Sequence, residues 1–267
     1  MSCLLRPFLH AKVDSPIYRM IAQRPEIIGA IVWPYQCHTW DAKTKLKQIE
    51  DHYIVIERLC PAIEFHVDEA LVLLDLGDIY ENLRVVLDQP KWLMREGQLT
   101  INLFLNNERI ISLTFSFARE AAEVVAYVGA IQGREGDGIR ETYGKFTKAM
   151  HGMRPYDFLF ELFRVFCRTV GVSRIFAVSE ESRHHRSSYF GKVGNIAKST
   201  LNYNNIWLER GGMLATPDFF VLGVNTHLKA MNEIPSNKRS MYRRRYKLLE
   251  DVEMRMQHAY ARLGKNL

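Results

Sequence analysis

The sequence predicts an α+β fold: a mixed, mainly antiparallel sheet with a helical N-terminal region and a basic C-terminal helix. The first observation is the alternation of apolar and polar residues over 99–105 and 111–117, on either side of Asn106-Asn107. This pattern is typical of an antiparallel hairpin with one buried face, and asparagine tolerates the positive φ of a tight turn. The other two are an apolar run at 124–131 that leads into glycines and a helical pattern, and a long helical tail from Ser236.

The first 66 residues read as helices. Prolines interrupt residues 1–40, so short helices are expected there. An amphipathic helix follows from about 42 to 59, capped by Asp41 and ended by Pro61. His52 lies at the edge of its apolar stripe, where either a packing role or a role as general base fits. We expect residues 1–66 to pack on a core built from 67–267, as a single compact unit.

The apolar run at 124–131 carries apolar or small residues on both faces, as expected of a central strand covered on both sides. With the hairpin it predicts a three-stranded meander. Gly133, Gly136 and Gly138 then fall within six residues, just before a helix. Backbone N–H groups in such a turn and at a helix N-terminus can hold an anion. The alternative is a tight turn that needs glycine for its shape alone.

The chain then continues as helix and strand. Pro155 opens a helix that Gly171 ends, and residues 174–178 form a short apolar strand. A strand, a helical crossover and a second strand imply parallel pairing. Ligands of such sheets bind beyond the carboxyl ends of the strands. The turn at Gln132-Gly133 therefore lies where a site is expected, and the polar segment 182–205 is predicted to be a long surface loop near it.

Composition limits the classes of partner and compartment. The net charge is +6, which favours acidic partners. Four widely spaced cysteines include no pair with metal-ligand spacing, so no metal site is predicted. The N-terminus does not have the pattern of a signal peptide, and no run approaches the roughly 18–20 apolar residues of a membrane span. We expect a cytoplasmic protein, with docking at the periphery of the inner membrane as an alternative.

The order of meander, glycine turn, helix and parallel strand resembles the GNAT acyltransferases. In that family a turn of the form Q/R-x-x-G-x-G/A binds a coenzyme A pyrophosphate. Here the last two glycines fit, whereas the glutamine lies one residue too far back and two acidic residues interrupt the turn. The resemblance implies binding of acyl-CoA, or of the phosphopantetheine of an acidic acyl carrier protein. The candidate binding residues are Gln132, Gly133, Gly136, Gly138, Arg140 and Arg154.

Candidate general bases are His151 and His52. His151 follows the helix that starts at the glycine turn, and its alternative role is to cap carbonyl groups at the helix C-terminus. Arg154 can bind an anion as a fork or bond the same carbonyl groups. Ser179 and the pair His184-His185 lack the surroundings of a nucleophile elbow or a metal site.

The tail carries six Lys or Arg residues between 238 and 247. This run suits an anionic bilayer or, less well, nucleic acid; its alternative role is the solvated face of a docked helix. Arg243, Arg244 and Arg245 are the candidate contacts to an anionic partner. We expect them to lie near the glycine turn and to form one anionic-ligand site with Arg140 and Arg154.

Five runs together resemble the VirK/YbjX family of Gram-negative bacterial proteins: LTFSFAR at 113–119, VGAIQG at 128–133, FTKAMHGMRP at 146–155, IFAVSE at 175–180 and KRSMYRRRYKLL at 238–249. The resemblance implies a protein tied to virulence, envelope remodelling and resistance to cationic antimicrobial peptides. It implies no reaction, because the family brings no settled activity and no catalytic residues. Acyl transfer to an envelope lipid or protein amine is therefore expected from the strand order alone, and a non-enzymatic binding protein is the alternative.

Overall fold

The computed structural model describes residues 2–59, 63–191, 201–226 and 228–264. An eight-stranded sheet in the order β1-β2-β3-β4-β5-β6-β8-β7 forms its framework. Its strands are β1 Ala70–Asp75, β2 Leu83–Asp88, β3 Leu99–Leu105, β4 Glu108–Glu120, β5 Glu123–Gly133, β6 Arg174–Val178, β7 Met213–Thr216 and β8 Phe219–Gly223. Among the described strands β5 and β6 pair in parallel and the other neighbours antiparallel. The predicted α+β fold with a mixed, mainly antiparallel sheet is confirmed.

Seven α-helices accompany the sheet in the described part of the chain. They are α1 Ser2–Leu9, α2 Pro16–Gln23, α3 Ala42–Leu59, α4 Ile139–Ala149, α5 Pro155–Thr169, α6 Tyr203–Glu209 and α7 Ser236–Leu263. Asp41 caps α3 as predicted, since its Oδ1 accepts a bond of 2.8 Å from the N–H of Thr44. The predicted end of that helix at Pro61 lies outside the described residues. None of the described helices combines the length and apolarity needed to cross a bilayer. The division between residues 1–66 and 67–267 remains a prediction.

The β3–β4 hairpin turns at Asn106 and Asn107, whose φ angles are 52° and 65°. This confirms the predicted hairpin, but the expectation of one buried face is wrong. The polar residues of the second face are also buried: Thr100, Asn102, Ser112, Thr114 and Ser116. They bond to one another and to neighbouring segments, as in the bond of 2.8 Å between the hydroxyl groups of Tyr35 and Ser116. Polar residues that satisfy each other in this way can line a covered face.

Phenylalanines join α5 to the apolar face of the sheet. Phe115 on β4 packs against Phe163 and Phe166, with ring centroids 4.8 and 5.9 Å apart. Helices α4 and α5 connect β5 to β6 and form a crossover, as the sequence predicts. This crossover places the carboxyl ends of β5 and β6 side by side.

The apolar half of α7 docks on this body. Leu248, Val252 and Met256 are buried. Two ion pairs fix the same half of the helix: Glu253 with Arg168 on α5, and Arg255 with Asp78 after β1.

Candidate functional site

The glycine turn connects β5 to α4 beside a cleft. β5 pairs with β6 from Val125 to Val128, and beyond that point the two strands separate. A cleft of about 860 Å³ opens at their carboxyl ends. It is lined by Ile131, Gln132, Gly133, Arg134, Glu135, Gly136, Asp137, Gly138, Ile139, Arg140, Tyr156, Arg183, Leu201 and Tyr203. The turn thus lies where the parallel pair predicts a ligand site.

The turn presents unused backbone donors. None of the N–H groups of residues 135–138 has an acceptor among the described residues. Gly136 and Gly138 have φ angles of 139° and 76°, which L side chains rarely adopt, and a Cβ on either would meet open space. Gly138 precedes α4 and offers no side-chain cap. Free N–H groups at the N-terminus of an eleven-residue helix are suited to an anion.

Gly133 is required for packing. A Cβ on this residue would lie 2.5 Å from the hydroxyl oxygen of Tyr143 and even closer to that of Tyr156. The two tyrosines come from α4 and α5, so the absence of a side chain at Gly133 lets both helices approach the end of β5.

The charged groups at the cleft differ in how far they are compensated. Arg140 is exposed and has no ion-pair or hydrogen-bond partner among the described residues. Arg134 pairs with Glu108. Arg183 bonds Glu180 at 3.2 Å and lies over the ring of Tyr203, 3.8 Å from its centroid. Arg140 is therefore the cation of this group that remains available to a bound anion.

Glu96, which the sequence analysis missed, lies one hydrogen bond behind the cleft wall. Its Oε2 accepts a bond of 2.6 Å from Nε2 of Gln132, a lining residue. Burial raises the pKa of Glu96 to about 7, against the opposing influence of Arg183 and the bond from Gln132. Nδ1 of His184 lies 3.7 Å from Oε1 of Glu96, and burial lowers the pKa of His184 to about 3. A buried carboxyl group with a pKa near neutrality is typical of functional sites.

Tyr203 closes the gap that β6 leaves beside β5. Its hydroxyl group donates to the carbonyl oxygen of Ile131 and accepts from the N–H of the same residue, both at 2.9 Å. Trp207, one turn later on α6, donates to the carbonyl oxygen of Val178 at 2.8 Å. Side chains of α6 therefore bond the backbone groups at the ends of β5 and β6 beside the cleft.

The structure brings neither predicted base to the cleft. His52 is buried against Phe117, with rings stacked 5.6 Å apart. Its Nδ1 accepts a bond of 3.1 Å from the N–H of Phe117. The pairing of β3 with β4 ends at Phe115, so β3 offers no acceptor to this N–H group. Burial lowers the pKa of His52 to about 3. These contacts give His52 a packing role, which was the alternative at the sequence level.

His151 lies at the other end of α4, about 18 Å along the helix axis from Gly138. Its φ of 52° ends the helix in a left-handed conformation. Partial burial and the charges of Arg244 and Arg245 lower its pKa. This position separates His151 from the glycine turn.

The predicted cations do not converge on the turn. Arg245 donates from Nε and Nη2 to the carbonyl oxygen of His151, at 3.2 and 2.9 Å, and so lies at the far end of α4. Arg154 donates from Nε to Asp157 at 2.8 Å and from Nη2 to Glu209 at 2.7 Å. The expectation of one shared anionic site is therefore wrong, because the length of α4 separates Arg245 from the glycine turn.

Comparison with known proteins identifies relatives by sequence. A family profile described as "Protein of unknown function (DUF535)" matches residues 5–258. The "Uncharacterized protein YbjX" of Escherichia coli (strain K12) is 28% identical over 244 residues, which are 89% of this chain and 73% of YbjX. An "Uncharacterized protein" of Haemophilus influenzae is 29% identical over 188 residues, which are 68% of this chain and 60% of that protein.

Solved structures give a weaker likeness. A cAMP-binding acyltransferase from Mycobacterium smegmatis matches with a TM-score of 0.30 and 14% identity, covering 78% of this chain and 60% of that one. A point mutant of that enzyme matches with a TM-score of 0.32 and 13% identity, covering 62% and 38%. Likeness at this level assigns no activity. The sequence profile, in contrast, spans nearly all of the chain, and the predicted relation to YbjX is confirmed: this protein belongs to the DUF535 family.

Proposed function

We propose that this protein binds the phosphopantetheine arm of an acyl thioester, carried by coenzyme A or by an acyl carrier protein, and transfers its acyl group. The observation that carries the proposal is the row of unused N–H groups at residues 135–138, which line a cleft of about 860 Å³. Phosphate accepts several such bonds, and the positive end of the α4 dipole adds to the attraction. Arg140 supplies a charged partner at the same end of the cleft.

The transfer needs a group that takes a proton from the acceptor. An amine or hydroxyl of an envelope lipid or protein attacks the thioester carbonyl carbon, the carbon–sulfur bond breaks, and the thiolate leaves. The attacking group loses a proton, and the thiolate gains one. Glu96 fits the role of proton acceptor better than either histidine, because its pKa of about 7 lies near working pH. It lies behind the lining residue Gln132, so one bridging water would carry the proton from the acceptor to its carboxylate.

Binding of the arm is the first prediction. Coenzyme A at 100 times its dissociation constant should stabilise the folded protein by about 2.7 kcal/mol, measured as a rise in melting temperature. Arg140→Gln should weaken this binding about tenfold, the usual loss for a charge-assisted bond to phosphate. The control is Arg262→Gln, which removes an exposed arginine near the end of α7. The proposal fails if coenzyme A, acyl-CoA and acyl carrier protein all leave the melting temperature unchanged at millimolar or saturating concentration.

The first half of α7 supports a second candidate function, peripheral binding to an anionic membrane. Arg243 and Arg244 are exposed and have no carboxylate partner among the described residues, whereas Arg255 in the docked half pairs with Asp78 and Asp251. A helix that leaves its cations uncompensated on one half presents them to an anionic surface. On this account the protein acts at the inner membrane without catalysis, and the envelope role expected from the sequence resemblance follows from that location.

Vesicles that contain anionic lipid test this candidate. The double change Arg243→Gln and Arg244→Gln should weaken binding about 30-fold, at about 1 kcal/mol for each basic residue, and binding should fall as salt rises. Lys43→Gln with Arg262→Gln is the control, since it removes the same charge elsewhere. Equal binding by both double variants would contradict the membrane role. Loss of binding to nucleic acid alone would indicate that α7 contacts nucleic acid instead.

A further inference from the structure

A second cavity of about 600 Å³ runs between α4 and α6. One wall is the α4 stripe of Tyr143, Gly144 and Thr147, spaced as one helix face, and Ile206 of α6 lies opposite. Pro155 and Tyr156 at the start of α5 add apolar surface, and the α6 side also carries the amide groups of Asn202 and Asn205. Both this groove and the glycine-turn cleft have the size of ligand sites in proteins, about 300–1,000 Å³.

The groove adjoins the cleft. Tyr156 and Leu201 line both of them. At the cleft end lie the free N–H groups of the turn and the uncompensated Arg140. The surface between the helices is therefore more apolar than the surface at the turn.

Paired charges also line the groove. Arg154 bonds Glu209 at 2.7 Å, and Arg210 bonds Asp157 at 2.6 Å. Because these charges satisfy each other, this part of the groove offers little attraction to an anion. The free N–H groups and Arg140 instead favour an anionic group at the turn, against the carboxylates of Glu135 and Asp137 that also line the cleft.

Gly144 forms part of the groove wall at a position where the helix itself does not need glycine. It lies in the middle of α4, where glycine costs about 1 kcal/mol relative to alanine. A Cβ at this position would meet nothing within 4 Å. Neither close packing nor backbone conformation therefore explains the glycine, and its effect is to widen the groove.

We infer that this groove holds the hydrocarbon chain of the acyl group, so that the substrates are thioesters of medium or long chains rather than acetyl thioesters. The inference rests on the proposed function, because it needs the phosphate of the same molecule at the glycine turn. An apolar chain that leaves water for such a groove gains a factor of about four in affinity for each buried methylene. The length of the groove then limits the length of the chain that it can hold.

Calorimetric titration with coenzyme A, acetyl-CoA and octanoyl-CoA tests the inference on three proteins: the wild type, Gly144→Leu and Gly144→Ala. The wild type should bind octanoyl-CoA at least about tenfold more tightly than acetyl-CoA. Gly144→Leu fills the groove and should reduce that preference to less than about threefold, with the affinity for coenzyme A unchanged. Leucine and alanine both favour helix over glycine, so neither change should prevent folding. Gly144→Ala is the matched control and should keep most of the preference.

Two outcomes overturn the inference, and they differ in what else they overturn. If the wild type binds all three ligands with equal affinity, or Gly144→Leu weakens all three equally, the groove does not hold the chain and the proposed function stands. If none of the ligands binds to the wild type, the proposed function fails together with the inference.

Discussion

Replacing Gly129 with alanine is expected to destabilise the fold by about 3 kcal/mol or more. Gly129 lies in β5, a central strand. A Cβ there would be 2.8 Å from the carbonyl carbon of Glu96 and closer still to its oxygen. The obstacle is backbone, which cannot rotate away as a side chain does, and Gln36 holds the same carbonyl group with a bond of 3.2 Å. The strand and the segment around Glu96 must therefore separate.

Urea unfolding of Gly129→Ala and Gly144→Ala measures this effect with a matched control. The chemical change is identical, but the second substitution lies in open space on a helix and should stabilise by up to about 1 kcal/mol. A free energy of unfolding for Gly129→Ala within about 1 kcal/mol of the wild type would show that Glu96 is not held against β5. Because that contact places Glu96 behind Gln132, such a result would also remove the proposed proton acceptor.

Acidification is expected to destabilise the protein through its buried histidines. Burial lowers the pKa of His52 from 6.5 to about 3. Between these two pH values, the folded state therefore binds fewer protons than the unfolded state. The contribution of His52 is complete above pH 6.5 and is lost as the pH falls toward 3, by about 1.4 kcal/mol per pH unit. His184 and His185, with pKa values of about 3 and 4, act in the same direction. The raised pKa of Glu96 acts in the opposite direction, because a protonated Glu96 favours the folded state.

The free energy of unfolding, measured from pH 7 to pH 4 in His52→Gln, isolates the contribution of His52 to this effect. The variant should be less stable than the wild type at pH 7, because it loses the stacking of the His52 ring on Phe117 and the bond that Nδ1 accepts from the N–H of Phe117. Between pH 6 and pH 4 its stability should change less steeply, by about 1.4 kcal/mol per pH unit. His258→Gln, at an exposed position of α7, is the control. Identical slopes for the wild type and His52→Gln would mean that His52 becomes protonated without unfolding.

Local patterns in the sequence predicted most of the elements because their causes are local. Alternation located β3 and β4, and the glycine and proline signals located the ends of α5. β1 and β7 were missed for the same reason. The residues of β7 are all exposed and carry no alternation, and a bulge between Val72 and Leu74 breaks the period of two in β1. The pairing of such edge strands depends on the neighbouring strand.

The site residues that the sequence predicted are likewise those with a local cause. The glycine turn was found because strand, glycines and helix are consecutive. Glu96 and Tyr203 reach it from distant segments, and nothing in their own surroundings in the sequence marks them; a bond to β5 brings each to the site. Conversely, His151 is near the turn in sequence but separated from it by the length of α4. Hydrophobic periodicity gives the face of a residue and not its distance from a residue on another element.

The most direct test of the acyl-donor site is a titration followed by amide NMR, with coenzyme A as the ligand and inorganic phosphate as a reference. The account predicts that the largest saturable shifts occur at the N–H groups of residues 135–138, since these have no acceptor in the free protein, and that Arg140→Gln requires more coenzyme A for the same shifts. Saturable shifts confined to the first half of α7, around Arg243 and Arg244, with none at residues 135–138, would contradict it.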